Sequence, residues 1–145
     1  DHRNDVISEE MRKGAVGAFK KHKLSYDGYI QVSKDNRSTY KYLKSYFKTH
    51  KHQLFIANRD SQALAALNAA TGHGIKIPED MQLVCMNESK YTSSVRPEIS
   101  SFFVPTYDLG AVSMRLMTKM LKEEDFEEKE KCLDILFSPK DTTKE

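Results

Sequence analysis

The sequence predicts an α/β fold, a parallel sheet flanked by helices, and three observations carry that prediction. Short β-rich runs at 26–32, 53–58, 81–86, 99–104 and 132–137 alternate with segments of helical periodicity. The connections between successive runs are long enough to hold a helix, which makes neighbouring strands parallel and their crossovers right-handed. Polar clusters follow two of the strands, Asn58-Arg59-Asp60 and Asn87-Glu88-Ser89. In parallel sheets the ligand crevice lies at the carboxyl ends of the strands, so these clusters are the first candidates for a site.

The elements follow in order. Ser8-Glu9-Glu10 reads as a helix start, a hydroxyl for free N–H groups and two carboxylates beside the positive end of the dipole. Met11, Ala15, Ala18, Phe19 and His22 then form one stripe, and Gly14 and Gly17 imply that something packs closely against it. Lys20, Lys21 and Lys23 suit the negative end as a solvated cluster. Asp27-Gly28 leads into a strand over 26–32. A second helix begins near Asn36 or Ser38 and turns Tyr40, Leu43, Tyr46 and Phe47 inward. Its interleaved lysines form a snorkelling rim rather than a base-stacking stripe. His50 and His52 read as loop histidines, since no carboxylate or cysteine cluster accompanies them.

Residues 53–58 are apolar enough for a central strand buried on both faces. Asp60 caps a helix that turns Ala63, Leu64, Leu67 and Ala70 inward, and Gly72 and Gly74 close it. Its other side, Ala65, Ala66 and Ala69, is small enough to admit another helix. Residues 77–80 turn the chain into the strand 81–86, and 90–98 reads as loop. Pro105 stops the strand 99–104. A helix with Leu109, Val112, Leu116, Met117, Met120 and Leu121 on one stripe follows, and such a stripe reads as core. A charged connector at 123–131 leads to the last strand, and the polar tail 138–145 is expected to fray.

Composition excludes several classes. The chain has 145 residues, 39% hydrophobic and 30% charged, which suits one folded domain or part of one. A net charge of +2, from 23 basic and 21 acidic residues, is spread out and forms no nucleic-acid face. No apolar run approaches the roughly 20 residues that span a bilayer. Cys85 and Cys132 lie in apolar stretches at unrelated spacing and read as buried free thiols of a reducing compartment. There is no phosphate-cradling glycine loop, nucleophile elbow or paired-histidine helix, so the sequence gives no positive reason to expect an enzyme, a metal or a cofactor.

Several segments, in order, carry a resemblance. Gly14-Ala15-Val16-Gly17-Ala18-Phe19 is similar to a glycine–aromatic–x–x–Ala–Leu helix, and Arg59-Asp60-Ser61-Gln62-Ala63-Leu64 to an Asn-Asp-x-x-Ala segment. Gly74-Ile75-Lys76-Ile77-Pro78-Glu79-Asp80-Met81 is nearly a family pattern as written. Cys85-Met86-Asn87-Glu88 stands where Gly-Phe-Asp-Asp is usual, and Arg96-Pro97-Glu98-Ile99-Ser100-Ser101 where Pro-x-Leu-Thr-Thr is usual. Tyr107-Asp108-Leu109-Gly110 matches a helix entry, and Asp141-Thr142-Thr143-Lys144 a domain end. The chain thus resembles the effector domain of lactose/galactose-repressor family transcription regulators.

The resemblance implies a periplasmic-binding-protein-like sensor of two lobes with a small effector between them. On that map, 1–145 is a partial effector-binding and dimerisation domain, mostly the C-terminal lobe and incomplete. Residues 8–102 form the second-lobe segment, 103–121 the crossover and a first-lobe helix, and 130–145 the final strand and tail. The DNA-binding headpiece, most of the first lobe, and the second lobe's opening helix and strand fall outside it. The implied protein is a cytoplasmic homodimer, a repressor of carbohydrate metabolism, that reaches DNA only through that headpiece. Its effector is a sugar or an anionic sugar derivative, and the 60–72 helix is its candidate dimer surface. A transporter's solute-binding protein shares the fold, and a regulator that answers to a protein partner is a third reading.

The resemblance also implies the site, with departures. The family's effector-gripping arginine falls on Met11, and a shift of one residue restores Arg12 but misplaces Gly14. The asparagine before Asp60 is Arg59, the aspartate that takes effector hydroxyls is Asn87, and the crossover positions are Val104 and Thr106. Asparagine offers one acceptor oxygen where aspartate offers two. Arg59 brings a cation that favours an anionic ligand, or pairs with Glu88 and fills the site.

Overall fold

The computed structural model describes residues 6–33, 35–122 and 131–144. Its elements are α1 (Val6–Lys21), α2 (Asn36–Tyr46), β1 (Leu54–Ala57), α3 (Asp60–Thr71), β2 (Gln82–Cys85), α4 (Lys90–Ser94), β3 (Ser100–Phe103), α5 (Thr106–Leu121) and β4 (Leu136–Ser138). The strands form one sheet in the order β1-β2-β3-β4, with β1, β2 and β3 parallel and β4 antiparallel to β3. The register sets Ala57 beside Cys85, Cys85 beside Ser101 and Ser101 beside Ser138. The carboxyl ends of β1 and β2 therefore finish level, where the polar clusters follow, and β3 runs two residues further to Phe103.

The core lies between the sheet and the alanine-rich α3. Small side chains let α2 come close, so that Leu43 and Phe47 pack against Ala66, Leu67 and Ala70, while Leu83, Cys85 and Ile99 close the sheet side. Asp35 caps α2, accepting the Ser38 N–H at 2.7 Å. The Nε2 of His73 donates to the Lys44 carbonyl at 2.6 Å and ties the end of α3 to α2.

Several expectations are corrected. Residues 26–32 form no strand; they run beside no strand of the sheet, and most of them are exposed. For the same reason β1 is an edge strand rather than a central one: Leu54 is 39% and Ile56 37% exposed on the face away from the core. Among the described residues, and apart from the helix's own backbone and the adjoining residues, no heavy atom lies within 4 Å of a Cβ built at Gly14 or Gly17, so no described element packs closely there. The 90–98 segment contains the short helix α4. The stripe on α5 is not core, because no side chain of that helix is buried. The small side of α3 is spent inside the chain, with Ala65, Ala66 and Ala69 at most 1% exposed, and offers no dimer surface. Both cysteines are free, but Cys132 is exposed. Most of the expected connector, 123–130, lies outside the described residues.

The tail is the largest correction. Thr142 stands between β2 and β3 where the two strands diverge. Its hydroxyl donates to the Leu83 carbonyl at 2.6 Å and accepts the Ser100 N–H at 2.8 Å, and its carbonyl takes the Leu83 N–H at 3.0 Å. Asp141 accepts the Glu98 N–H, and the Lys144 N–H donates to the Gln82 side chain. A polar tail reads as loose from its composition, yet Asp141 and Thr142 serve backbone groups of Leu83, Glu98 and Ser100 in and beside β2 and β3.

Candidate functional site

Backbone bonds carry the sheet's order past its strand ends. The Met86 N–H donates to the Ala57 carbonyl at 2.8 Å and the Glu88 N–H to the Phe102 carbonyl at 2.9 Å. Ser89 then starts α4: its Oγ accepts the Tyr91 N–H, and Thr92 Oγ1 accepts the Ser89 N–H, both at 3.1 Å. The loop 86–89 is thus held at both ends, and its residues Asn87, Glu88 and Ser89 line a cleft.

That cleft is a cavity of about 340 Å³. Asn87, Glu88, Ser89, Lys90 and Ser93 line it from the β2–α4 side. Phe103, Val104 and Thr106 line it from the β3–α5 side. Amide, hydroxyl and ammonium groups face an aromatic ring and an aliphatic side chain, an arrangement that can hydrogen-bond one side of a small molecule and cover the other. Below the cleft, Glu88 Oε1 meets the Lys140 Nζ at 2.8 Å, and the same ammonium donates to Ser93 Oγ at 2.9 Å. The two charged side chains are 15% and 25% exposed for Lys140 and Glu88. Among the described residues the ion-pair partner of Glu88 is therefore Lys140 from the tail.

The candidates from sequence divide. Asn87, Val104 and Thr106 line the cavity; Met11, Arg12, Arg59 and Asp60 do not. Arg12 lies on α1, its guanidinium donating to Glu9 at 2.9 and 2.6 Å, a pairing that raises the arginine and lowers the glutamate from their ordinary values. Met11 is half-buried beside it on the same helix. Arg59 is exposed, in extended backbone just before α3, and Asp60 turns its Oδ1 to the Ser61 N–H at 2.7 Å. Asp60 also lies near Cys85. Burial pushes the Cys85 thiol up to about 11, against a backbone hydrogen bond at Asn87 that lowers it and with a smaller push from the Asp60 carboxylate. The S–H itself donates to the Asn87 carbonyl at 3.1 Å.

Sequence reasoning placed Ser89 at the strand end but missed Lys90, Ser93, Phe103 and Lys140. The Ser89-x-x-Thr92 spacing was a usable signal, because two hydroxyls three apart can cap reciprocally and turn a presumed loop into a helix start. Lys140 had no local signal; it is 52 positions from Glu88. Among the described residues no group of three or more His, Cys, Asp or Glu could hold a metal, and no helix is long and apolar enough to cross a membrane.

Comparisons with known proteins bear on the family and the fold. Residues 1–143 match the family described as periplasmic binding protein-like domain. Catabolite control protein A of Staphylococcus xylosus is 34% identical over 139 residues, covering 94% of this chain and 42% of that protein. Its counterpart in Staphylococcus epidermidis is 31% identical over 121 residues, 82% of this chain and 36% of that protein. The chain thus spans about two fifths of these curated relatives. The crystal structure of the transcription regulator CcpA of Lactococcus lactis superposes with a TM-score of 0.80 at 26% identity, covering 99% of this chain and 53% of that one. A sugar-binding regulator of the LacI family from Escherichia coli, solved with phosphate, superposes with a TM-score of 0.84 at 17% identity over 97% of this chain and 51% of that one, a likeness of fold. The chain belongs to the periplasmic binding protein-like domain family.

Proposed function

We propose that the chain is the effector-sensing part of a bacterial DNA-binding transcription regulator, a repressor of carbohydrate metabolism acting as a cytoplasmic homodimer. A small polar molecule, a sugar or an anionic sugar derivative, binds the cleft, and DNA is contacted through a separate headpiece. The observation that carries this reading is the cavity of about 340 Å³ at the carboxyl ends of β2 and β3, polar on one wall and apolar on the other. In the two-lobe arrangement, residues 8–102 belong to the second lobe, α5 to the first, and the cleft lies beside the crossover at 103–106. Met11, Arg12, Arg59 and Asp60 belong to the same lobe as Asn87 but lie outside the cavity lining, so the first contacts to the ligand fall to Asn87, Val104 and Thr106.

The mechanism is a population shift: a ligand that binds the closed arrangement better changes the spacing of paired headpieces and so the affinity for an operator. Relatives named as regulators support this reading over a transporter's solute-binding protein. The sequence argument for an anionic ligand rested on Arg59; on the cleft wall the cation is Lys90. Thermal-shift titration of the full-length protein with neutral hexoses and with their acids and phosphates tests the reading. A rise in Tm with one class is expected, and no rise with any of them refutes a sugar effector.

A further inference from the structure

The Glu88–Lys140 pair gives the tail a part in the cleft, in an inference that rests on the ligand reading above. Two of the residues that line the cavity are charged, Glu88 and Lys90. Lys90 sits at the mouth with its Nζ 5.2 Å from the centre of the Tyr91 ring. Glu88 is held from below by Lys140, which does not line the cavity and whose own position is fixed from the tail: its N–H donates to Ser100 Oγ at 2.8 Å, and its Nζ also meets Ser93. Two residues further on, Thr142 locks into β2 and β3. The ammonium is therefore delivered by a segment anchored to the sheet itself.

We propose that Lys140 is the positioning residue that neutralises Glu88, so that the 138–144 segment sets the cleft's preference for an anionic over a neutral polyhydroxyl ligand. With Glu88 paired, the wall carries the unmatched charge of Lys90 and attracts an anion. With Glu88 released from Lys140, a carboxylate faces the cleft, cancels Lys90 and turns its acceptors to hydroxyl groups. The tail thereby decides whether the position after Asn87 acts as part of a charge pair or as a ligand acceptor. Screening keeps the effect moderate in a cleft open to water, about threefold to tenfold in relative affinity for a unit charge a few ångströms away.

The test compares two substitutions that break the same pair. Lys140→Met leaves Glu88 uncompensated, and Glu88→Gln leaves Lys140 uncompensated. Binding of glucose and glucuronate, and of galactose and galacturonate, is measured by calorimetry on the full-length protein at low salt. Lys140→Met is expected to lower the preference for the acid over the neutral sugar about threefold to tenfold. Glu88→Gln is expected to raise it by a similar factor, and Lys140→Arg to keep it. A merely structural pair makes both changes act in the same direction through lost stability. Parallel shifts, or none, in a protein that binds these sugars overturn the inference and leave the ligand reading standing. A wild-type protein that binds none of the four overturns the ligand reading for these sugars and the selectivity argued from it.

Discussion

The body of the molecule and its flank treat the same kind of side chain in opposite ways. In the body, Leu43, Met81, Leu83 and Ile99 are at most 2% exposed. On α5, Tyr107, Met120 and Leu121 are 86%, 65% and 78% exposed, although their helix carries a clear apolar stripe. The difference teaches that periodicity identifies which face of an element is apolar, while burial depends on what stands opposite. Opposite Leu83 stands α3; α5 buries no side chain in any described part of this chain.

Removing side chains from each region sharpens the contrast. Leu83→Ala is expected to cost about 2–5 kcal/mol, the lost transfer energy plus an unfilled cavity between the sheet and α3. Leu121→Ala is expected to stay within about 0.5 kcal/mol in this chain. Urea denaturation of the two variants measures both. Comparable losses would dissolve the distinction between body and flank.

The tail comes next in size. Thr142→Val keeps the shape but withdraws the hydroxyl that serves the Leu83 carbonyl and the Ser100 N–H. A buried Ser100 N–H without a partner should cost about 1–3 kcal/mol, read as a lowered urea midpoint together with faster exchange of the Ser100 amide. A midpoint equal to that of the wild type would return the tail to the loose ends where its composition placed it.

Most of the frame was legible and much of the site was not, for a physical reason that these residues illustrate. The helices starting at Asn36, Asp60 and Thr106 and the strands at 54–57, 82–85 and 100–103 announce themselves through local periodicity and caps, which need only near neighbours. The strand-end rule placed Asn87 in the cleft, and Val104 and Thr106 followed from the family's crossover. Lys140 could not be found that way, because its role is an ion pair across 52 positions. Edge against centre for β1, and fraying against anchorage for Thr142, also depend on partners distant in sequence. Residues 26–32 read as a strand because their pattern suits one, yet a strand exists only through a neighbour's ladder.

The two thiols offer an intermediate effect with a pH signature. Cys85 is held near 11 against an ordinary 9.0, so its folded form prefers the protonated thiol. A group raised in this way contributes stability that is present below 9.0 and lost as pH rises toward 11, on the order of 2–3 kcal/mol by linkage. Cys85→Ala removes that slope while sacrificing some packing, and comparing the two stability profiles between pH 8 and about 11 isolates it. Native alkylation at pH 8 should modify the exposed Cys132 and spare the buried Cys85 until the chain unfolds. Equal labelling would place the β2 row among the exposed surfaces, with Cys132.

The smallest expected effect lies on the seam between the two regions. Residues 24–33 leave α1 and pass beside the end of α2, where His52 links them: its Nε2 meets the Tyr46 hydroxyl at 2.8 Å and its Nδ1 the Asp27 carboxylate at 3.3 Å. Tyr46 also stacks on His50 with ring centres 4.1 Å apart, so the rings belong to the body, whereas the Asp27 side chain is 66% exposed. A contact with one solvated partner contributes little, and Asp27→Asn should change the urea midpoint by less than about 0.5 kcal/mol. It should nevertheless quicken amide exchange in 26–32 while leaving Leu43 and Leu83 unchanged, because local opening of a weakly held segment does not require the core to open. If exchange rises at Leu43 as well, the segment is part of the body despite its lack of a ladder. The boundary then moves from His52 back to the end of α1, with the ring Phe19 sets against Tyr26 at 5.7 Å as the next contact to remove.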